Sequence, residues 1–155
     1  MIQPGQTIPD YLGVDEEGRE YTRQNLQGQK VVLYFYPKDN TSGCTAEACS
    51  LRDGWDAIRA KGYTIIGVSK DSARSHTKFK ADHNLPFPLI TDPDSRLQEA
   101  FGVWVEKKMY GRTYFGTLRA TFLIDETGTI RHAMSGKEIK TSDHANQILQ
   151  AIDQL

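Results

Sequence analysis

Cysteine is scarce in this chain of 155 residues: there are two, Cys44 and Cys49. Two thiols cannot build a disulfide framework, and they fall short of the four ligands of a structural zinc site. Histidine does not make up the difference, because His76, His83, His132 and His144 are scattered without ligand spacing. Charge of one sign is lacking too. Nineteen Lys and Arg against 20 Asp and Glu leave a formal net charge of -1, so a nucleic acid or an acidic membrane surface finds no basic partner. No apolar stretch approaches the ~20 residues of a membrane span. The opening MIQPGQTIPDYLG has neither a basic nor an apolar leader segment. These absences predict a cytoplasmic protein with no membrane or nucleic-acid partner. In that reducing setting, two cysteines serve as redox-active or free thiols rather than as a permanent staple. Repeats, low-complexity tracts and linkers are also missing, and the length reads as one domain over residues 1–155.

What is present is a regular alternation. KVVLYFYP (30–37) and YTIIGVS (63–69) are continuous runs of β-branched and aromatic residues, the pattern of strands buried on both faces. PLIT (88–91) and ATFLID (120–125) are shorter runs of the same kind, and TIRHAMS (129–135) follows a DETG turn. Helical patterns fall between them, over 44–60, 72–83, 95–101 and 142–154. YLGVDEEGREYTRQNL reads as an accessory hairpin and turn near the start. Strands alternating with helices predict a parallel core covered on both sides, to which the late hairpin adds antiparallel strands. The expected class is α/β, a thioredoxin-like fold with a central mixed sheet flanked by helices and an N-terminal accessory hairpin.

Both cysteines lie in PKDNTSGCTAEACSLRD (37–53), which must turn from a buried strand into a helix. KDNTSG supplies turn formers and capping hydroxyls, so Cys44 is expected at a helix N-terminus. Free N–H groups and the positive end of the helix dipole favour an anion there, and thiolate is the nucleophilic form of cysteine. Glu47, one turn on, opposes a thiolate, which predicts a cation close to Cys44. Ala48, Leu51, Trp55 and Ile58 recur at helical spacing as the core stripe, with Cys44 on the same side. Cys49 lines up instead with Arg52, Asp53 and Asp56. Five residues along an ideal helix place the two Cα atoms roughly 8–9 Å apart on different faces, and a disulfide needs them within about 7 Å. A Cys44–Cys49 bond therefore requires the helix to unwind.

The alternative reading is that both are incidental small apolar residues, as buried free cysteines often are. The combination of Pro37, Thr41 and Cys44 (P-x-x-x-T-x-x-C), the C-x4-C of Cys44 and Cys49, Arg52–Asp53, FGVWVEKKMYG (101–111) and RATFLID (119–125) resembles the peroxiredoxins. The resemblance is to their bacterioferritin-comigratory-protein (PrxQ) group and covers nearly the whole chain. Ser42 departs from the proline that many members carry before Gly-Cys.

The resemblance implies a thiol peroxidase, acting on hydrogen peroxide and alkyl hydroperoxides without a cofactor or metal. Cys44 would attack the peroxide and become a sulfenic acid, and Cys49 would resolve it as an intramolecular disulfide. Thioredoxin or a similar dithiol reductant would recycle the enzyme as a monomer. Arg119 would hold thiolate and peroxide, Thr41 would complete the polar cradle, and Pro37 would pack over the sulfur. Trp104, Tyr110, Tyr114 and Phe115 are expected to pack around a loop that can form an apolar lip, and Lys107 and Lys108 to lie in a solvated turn. A thioredoxin-type disulfide reductase is disfavoured because that chemistry uses C-x-x-C. A redox-responsive binding module, its helix melting on oxidation, is compatible with peroxidase activity.

Overall fold

The apolar runs pair into one seven-stranded sheet, with a separate two-stranded ribbon beside it. The computed structural model describes residues 1–155. It runs β1 (Tyr11–Asp15), β2 (Glu20–Thr22), α1 (Arg23–Leu26), β3 (Lys30–Phe35), α2 (Ser42–Asp53), α3 (Trp55–Ala60), β4 (Tyr63–Ser69), α4 (Ala73–His83), β5 (Leu89–Thr91), α5 (Arg96–Ala100), β6 (Trp104–Met109), β7 (Arg112–Thr117), β8 (Ala120–Ile124), β9 (Ile130–Ser135) and α6 (His144–Asp153). The sheet order is β2-β1-β5-β4-β3-β8-β9. β3, β4 and β5 are parallel, and β1, β2, β8 and β9 add antiparallel pairs. The expected mixed sheet and N-terminal hairpin are both present.

β3 shows why its sequence does not alternate between apolar and polar. Val32, Tyr34 and Tyr36 face a core shared with Ala48, Leu51, Phe79 and Ile148. Val31, Leu33 and Phe35 face a second core shared with Ile8, Leu97 and Phe101. Successive side chains point to opposite faces, and both faces are covered.

The loop from β3 into α2 is fixed by one buried carboxylate. Asp39 accepts from the Tyr36 hydroxyl at 2.6 Å and the Ser75 hydroxyl at 2.8 Å, and its Oδ2 lies 2.8 Å from His76 Nδ1. Its own N–H donates to Asp71 at 2.9 Å. His76 Nε2 in turn lies 3.1 Å from the Ile90 carbonyl. These bonds tie the loop to α4 and β5. Asn40 then takes a left-handed conformation, φ 61°, and α2 begins two residues later.

Three expectations need correction. The helix expected over 44–60 is two helices, broken at Gly54. A Cβ at Gly54 would lie 2.5 Å from the Ala145 Cβ, so α6 crosses too close for any side chain. Gly54→Ala is expected to cost about 1–3 kcal/mol through forced displacement of packed backbone, read as a lower urea midpoint at unchanged slope. An unchanged midpoint would contradict the close packing.

The aromatic segment expected as a loop is the hairpin β6–β7, turning at Tyr110 and Gly111, both with positive φ. Tyr110, Tyr114 and Phe115 are exposed on it rather than packed, and only Trp104 is half-buried. Lys107 and Lys108 are strand residues, not a solvated turn. Lys107 is half-buried, and its ammonium donates to the Thr117 carbonyl.

Candidate active site

Cys44 is the third residue of α2, and its side chain is buried with the core stripe of that helix. Thr41 occupies the N-cap position, yet its hydroxyl donates to the Lys38 carbonyl at 2.8 Å and makes no cap bond. Thr41 is therefore not a side-chain cap, and no side chain occupies the N–H groups of the first turn. Such a terminus favours an anion. Thr41 and Pro37 are both exposed, at the mouth of the loop.

The cation predicted beside Cys44 is Arg119. β8 pairs with β3 so that Ala120 lies opposite Phe35, which brings Arg119 to the sheet end where α2 begins. One guanidinium nitrogen, Nη2, donates to Cys44 Sγ at 3.4 Å, and the other, Nη1, to Glu47 Oε1 at 2.6 Å. Nη2 also lies 3.4 Å from where a Cβ on Gly43 would stand, so glycine leaves room for the guanidinium on the first turn. Burial works against the charge of Arg119, but Glu47 and Cys44 outweigh it and hold the guanidinium protonated.

Glu47 itself departs from expectation. An acidic side chain in the first turns of a helix usually points to water, but Glu47 is fully buried. Its place three residues after Cys44 puts it on the same helix face, and that spacing was the available signal. Burial pushes its carboxyl up to about 7, with Arg119 pulling the other way. Oε2 has no hydrogen-bond partner, and His144 Nε2 stands 3.7 Å from it.

His144 lies 2.9 Å through Nδ1 from the Gln147 amide oxygen and 2.7 Å through Nε2 from the Thr121 hydroxyl. The amide oxygen only accepts, so Nδ1 carries the proton and Nε2 accepts from Thr121. Burial lowers the imidazole pKa and keeps the ring neutral. The Tyr34 hydroxyl is buried without a partner, and its pKa is raised by burial first and then by Glu47 and Cys44. Lys107 is lowered by burial and by Arg119, while Cys44 opposes the shift. Sequence reasoning placed Glu47 beside Cys44 but not its burial, and it missed His144, Tyr34 and Lys107 as neighbours of the site, because those three stand on other elements.

Cys49 is half-buried on another face of the intact α2, and both cysteines are free. The structure thus brings Cys44 and Arg119 together, sets Thr41 and Pro37 at the preceding loop, and keeps Cys49 apart. Chemically, this is a sulfur held against a guanidinium at a helix N-terminus, with a second free thiol further along the same helix.

Comparison with known proteins bears directly on this arrangement. Residues 4–133 match the model of the AhpC/TSA family. Peroxiredoxin Bcp of Bacillus subtilis is 44% identical over 151 residues, covering 97% of this chain and 95% of that protein. Peroxiredoxin Bcp of Escherichia coli K12 is 38% identical over 148 residues, covering 96% and 94%. Among solved structures, Peroxiredoxin Q of Xanthomonas campestris superposes with a TM-score of 0.84 at 37% identity, covering 91% of this chain and 88% of that one. A mutant PrxQ of Xylella fastidiosa superposes with a TM-score of 0.89 at 34% identity over 99% and 97%. With the mixed sheet and flanking helices, these matches bear out the thioredoxin-like layout. The chain belongs to the AhpC/TSA family and, within it, to the peroxiredoxins of the Bcp/PrxQ group.

Proposed function

We propose that this protein reduces hydrogen peroxide and alkyl hydroperoxides through Cys44, with Cys49 as the resolving thiol of the same chain. The observation that carries the reading is the Cys44 sulfur, 3.4 Å from a guanidinium nitrogen of Arg119 at the start of α2. Alkyl peroxide reduction is also the activity of the Xanthomonas campestris bacterioferritin comigratory protein, 36% identical to this chain.

The Cys44 thiolate attacks one peroxide oxygen. The O–O bond breaks, its electron pair leaves on the other oxygen, and a proton completes water or an alcohol. Cys44 is left as a sulfenic acid. Negative charge spreads along S···O···O in the transition state, and Arg119, which donates to the Cys44 sulfur, and the first-turn N–H groups of α2 stabilise it. Thr41 adds a hydroxyl at the loop, and Pro37 shields the sulfur from the loop side. Cys49 then attacks the sulfenic sulfur and water departs. A dithiol, thioredoxin or a relative, reopens the Cys44–Cys49 disulfide by exchange. One domain of residues 1–155, acting as a monomer in the cytoplasm, performs the cycle. No helix is long and apolar enough to cross a membrane.

The test is hydrogen peroxide consumption with thioredoxin and its reductase. Wild type is expected to turn over continuously. Cys49→Ser is expected to consume about one equivalent and then stall as the sulfenic acid, trapped by a dimedone-type reagent. Continuous thioredoxin-dependent turnover by Cys49→Ser would remove Cys49 from the cycle.

A further inference from the structure

The inference rests on the reading that Cys49 must reach Cys44, which the intact α2 prevents. The contacts that hold α2 are unevenly distributed. Before it, the loop is anchored at Asp39 by Tyr36, Ser75, His76 and Asp71. Towards its end, Ser50 Oγ accepts the Ala145 N–H at 3.1 Å, and Arg52 Nη1 donates to the His83 carbonyl at 2.9 Å. Gly54 follows, pressed against Ala145. Between these two fixed regions, Arg119 alone makes side-chain hydrogen bonds from the rest of the fold, to Cys44 and Glu47. Glu47 lies between the two cysteines in sequence. Drawing Cys49 onto Cys44 must rebuild the backbone of Thr45–Ala48, which carries Glu47 off Arg119.

We propose that Glu47 is the latch of the Cys44–Cys49 switch: α2 opens only over Thr41–Cys49, between the Asp39 anchor and the Ser50 pin, and opening requires Glu47 to leave its buried site. Four groups face that carboxyl. They are Arg119 from the β7–β8 connection, His144 from α6, Tyr34 from β3 and Cys44 on α2 itself.

The latch makes opening depend on pH with a definite sign. In its buried site the carboxyl holds its proton up to about 7, against 4.5 for an ordinary glutamate. Between those values the closed form binds a proton that the open form releases. Opening therefore becomes more favourable as pH rises through the window, by at most about tenfold per pH unit, and levels off above it. His144 acts in the opposite sense. Its folded-state pKa is lowered, so any opening that exposes it is favoured as pH falls. Tyr34 stays neutral and Arg119 stays charged throughout, so neither contributes a slope.

The test is amide hydrogen exchange by NMR on the Cys44→Ser/Cys49→Ser double variant, where no thiol titrates and no redox step occurs. The amides of residues 45–53 bond to carbonyls of residues 41–49 and are expected to open as one group. Their protection, corrected for intrinsic exchange, should fall by up to about tenfold per pH unit between about pH 5 and pH 7. Gly54, bonded to the Ser50 carbonyl at 2.9 Å, should stay protected. Glu47→Gln in the same background should abolish the slope. A flat slope, one of opposite sign, one that survives Glu47→Gln, or joint opening of Gly54 with the group would overturn the proposal. If Glu47→Gln fails to fold, the sign of the slope in its parent decides, since Glu47 and His144 give opposite signs. Peroxidase activity is not read in this experiment, so its failure leaves the roles of Cys44 and Cys49 to their own tests.

Discussion

Cys44→Ser is expected to abolish peroxide turnover, a loss on the order of 10⁶-fold, the scale for removing an attacking nucleophile. A serine hydroxyl is almost wholly un-ionised at neutral pH and is a poor nucleophile without a base to activate it. No base is in place for it, since the contact to the Cys44 sulfur comes from a guanidinium, which only donates. The variant should fold, because serine is smaller than cysteine and replaces one buried atom. Its unfolding midpoint serves as the control. Full thioredoxin-dependent turnover by a folded Cys44→Ser protein would contradict the assignment of Cys44 as nucleophile.

Arg119→Met carries the second large effect. The rate of sulfenic acid formation is expected to fall about 10²–10³-fold, equivalent to roughly 2.7–4 kcal/mol for one donor aimed at developing charge. Methionine fills much of the volume but leaves the Cys44 sulfur and the Glu47 carboxyl without their shared cation. Lysine should rescue only in part, because one ammonium cannot span two partners that Arg119 contacts through two different nitrogens. Unpairing Glu47 also destabilises the fold, so the variant is best compared with Arg119→Met/Glu47→Gln. The second change removes the stranded carboxylate and should restore stability without restoring rate. Rapid-mixing fluorescence of the first oxidation step reads the rate directly. A rate within twofold of wild type in the Arg119→Met protein would remove Arg119 from the chemistry.

How much of this was legible in the sequence depended on how local each feature was. β3 and β4 stood out because strands covered on both faces are written as unbroken apolar runs. The start of α2 stood out because turn formers, hydroxyls and helical spacing lie within 20 residues of one another. The break at Gly54 was not legible. An isolated glycine is tolerated within a helix, and what demands glycine at this position is Ala145, brought close only by the folded α6. β6 and β7 were missed because the ribbon is exposed on much of both faces, so no alternation marks a buried side. The Tyr110–Gly111 turn was its remaining signal.

The same distinction divides the site. Cys44, Cys49 and the need for a cation followed from one segment and helix geometry. That Glu47 is buried, and that His144 and Tyr34 face it, depends on partners far along the chain. Arg119 is 72 residues from Glu47 in sequence, and the register of β8 on β3 is what brings them together.

The central claim is that one chain carries both thiols of the cycle and joins them by opening α2. Its most direct measurement is the intact mass and peptide map of the reduced protein after one equivalent of hydrogen peroxide. The predicted product is a monomer lighter by the mass of two hydrogen atoms, with a single Cys44–Cys49 cross-linked peptide. A stable oxygen adduct on Cys44 with Cys49 still a free thiol, or a cross-linked dimer, would contradict it.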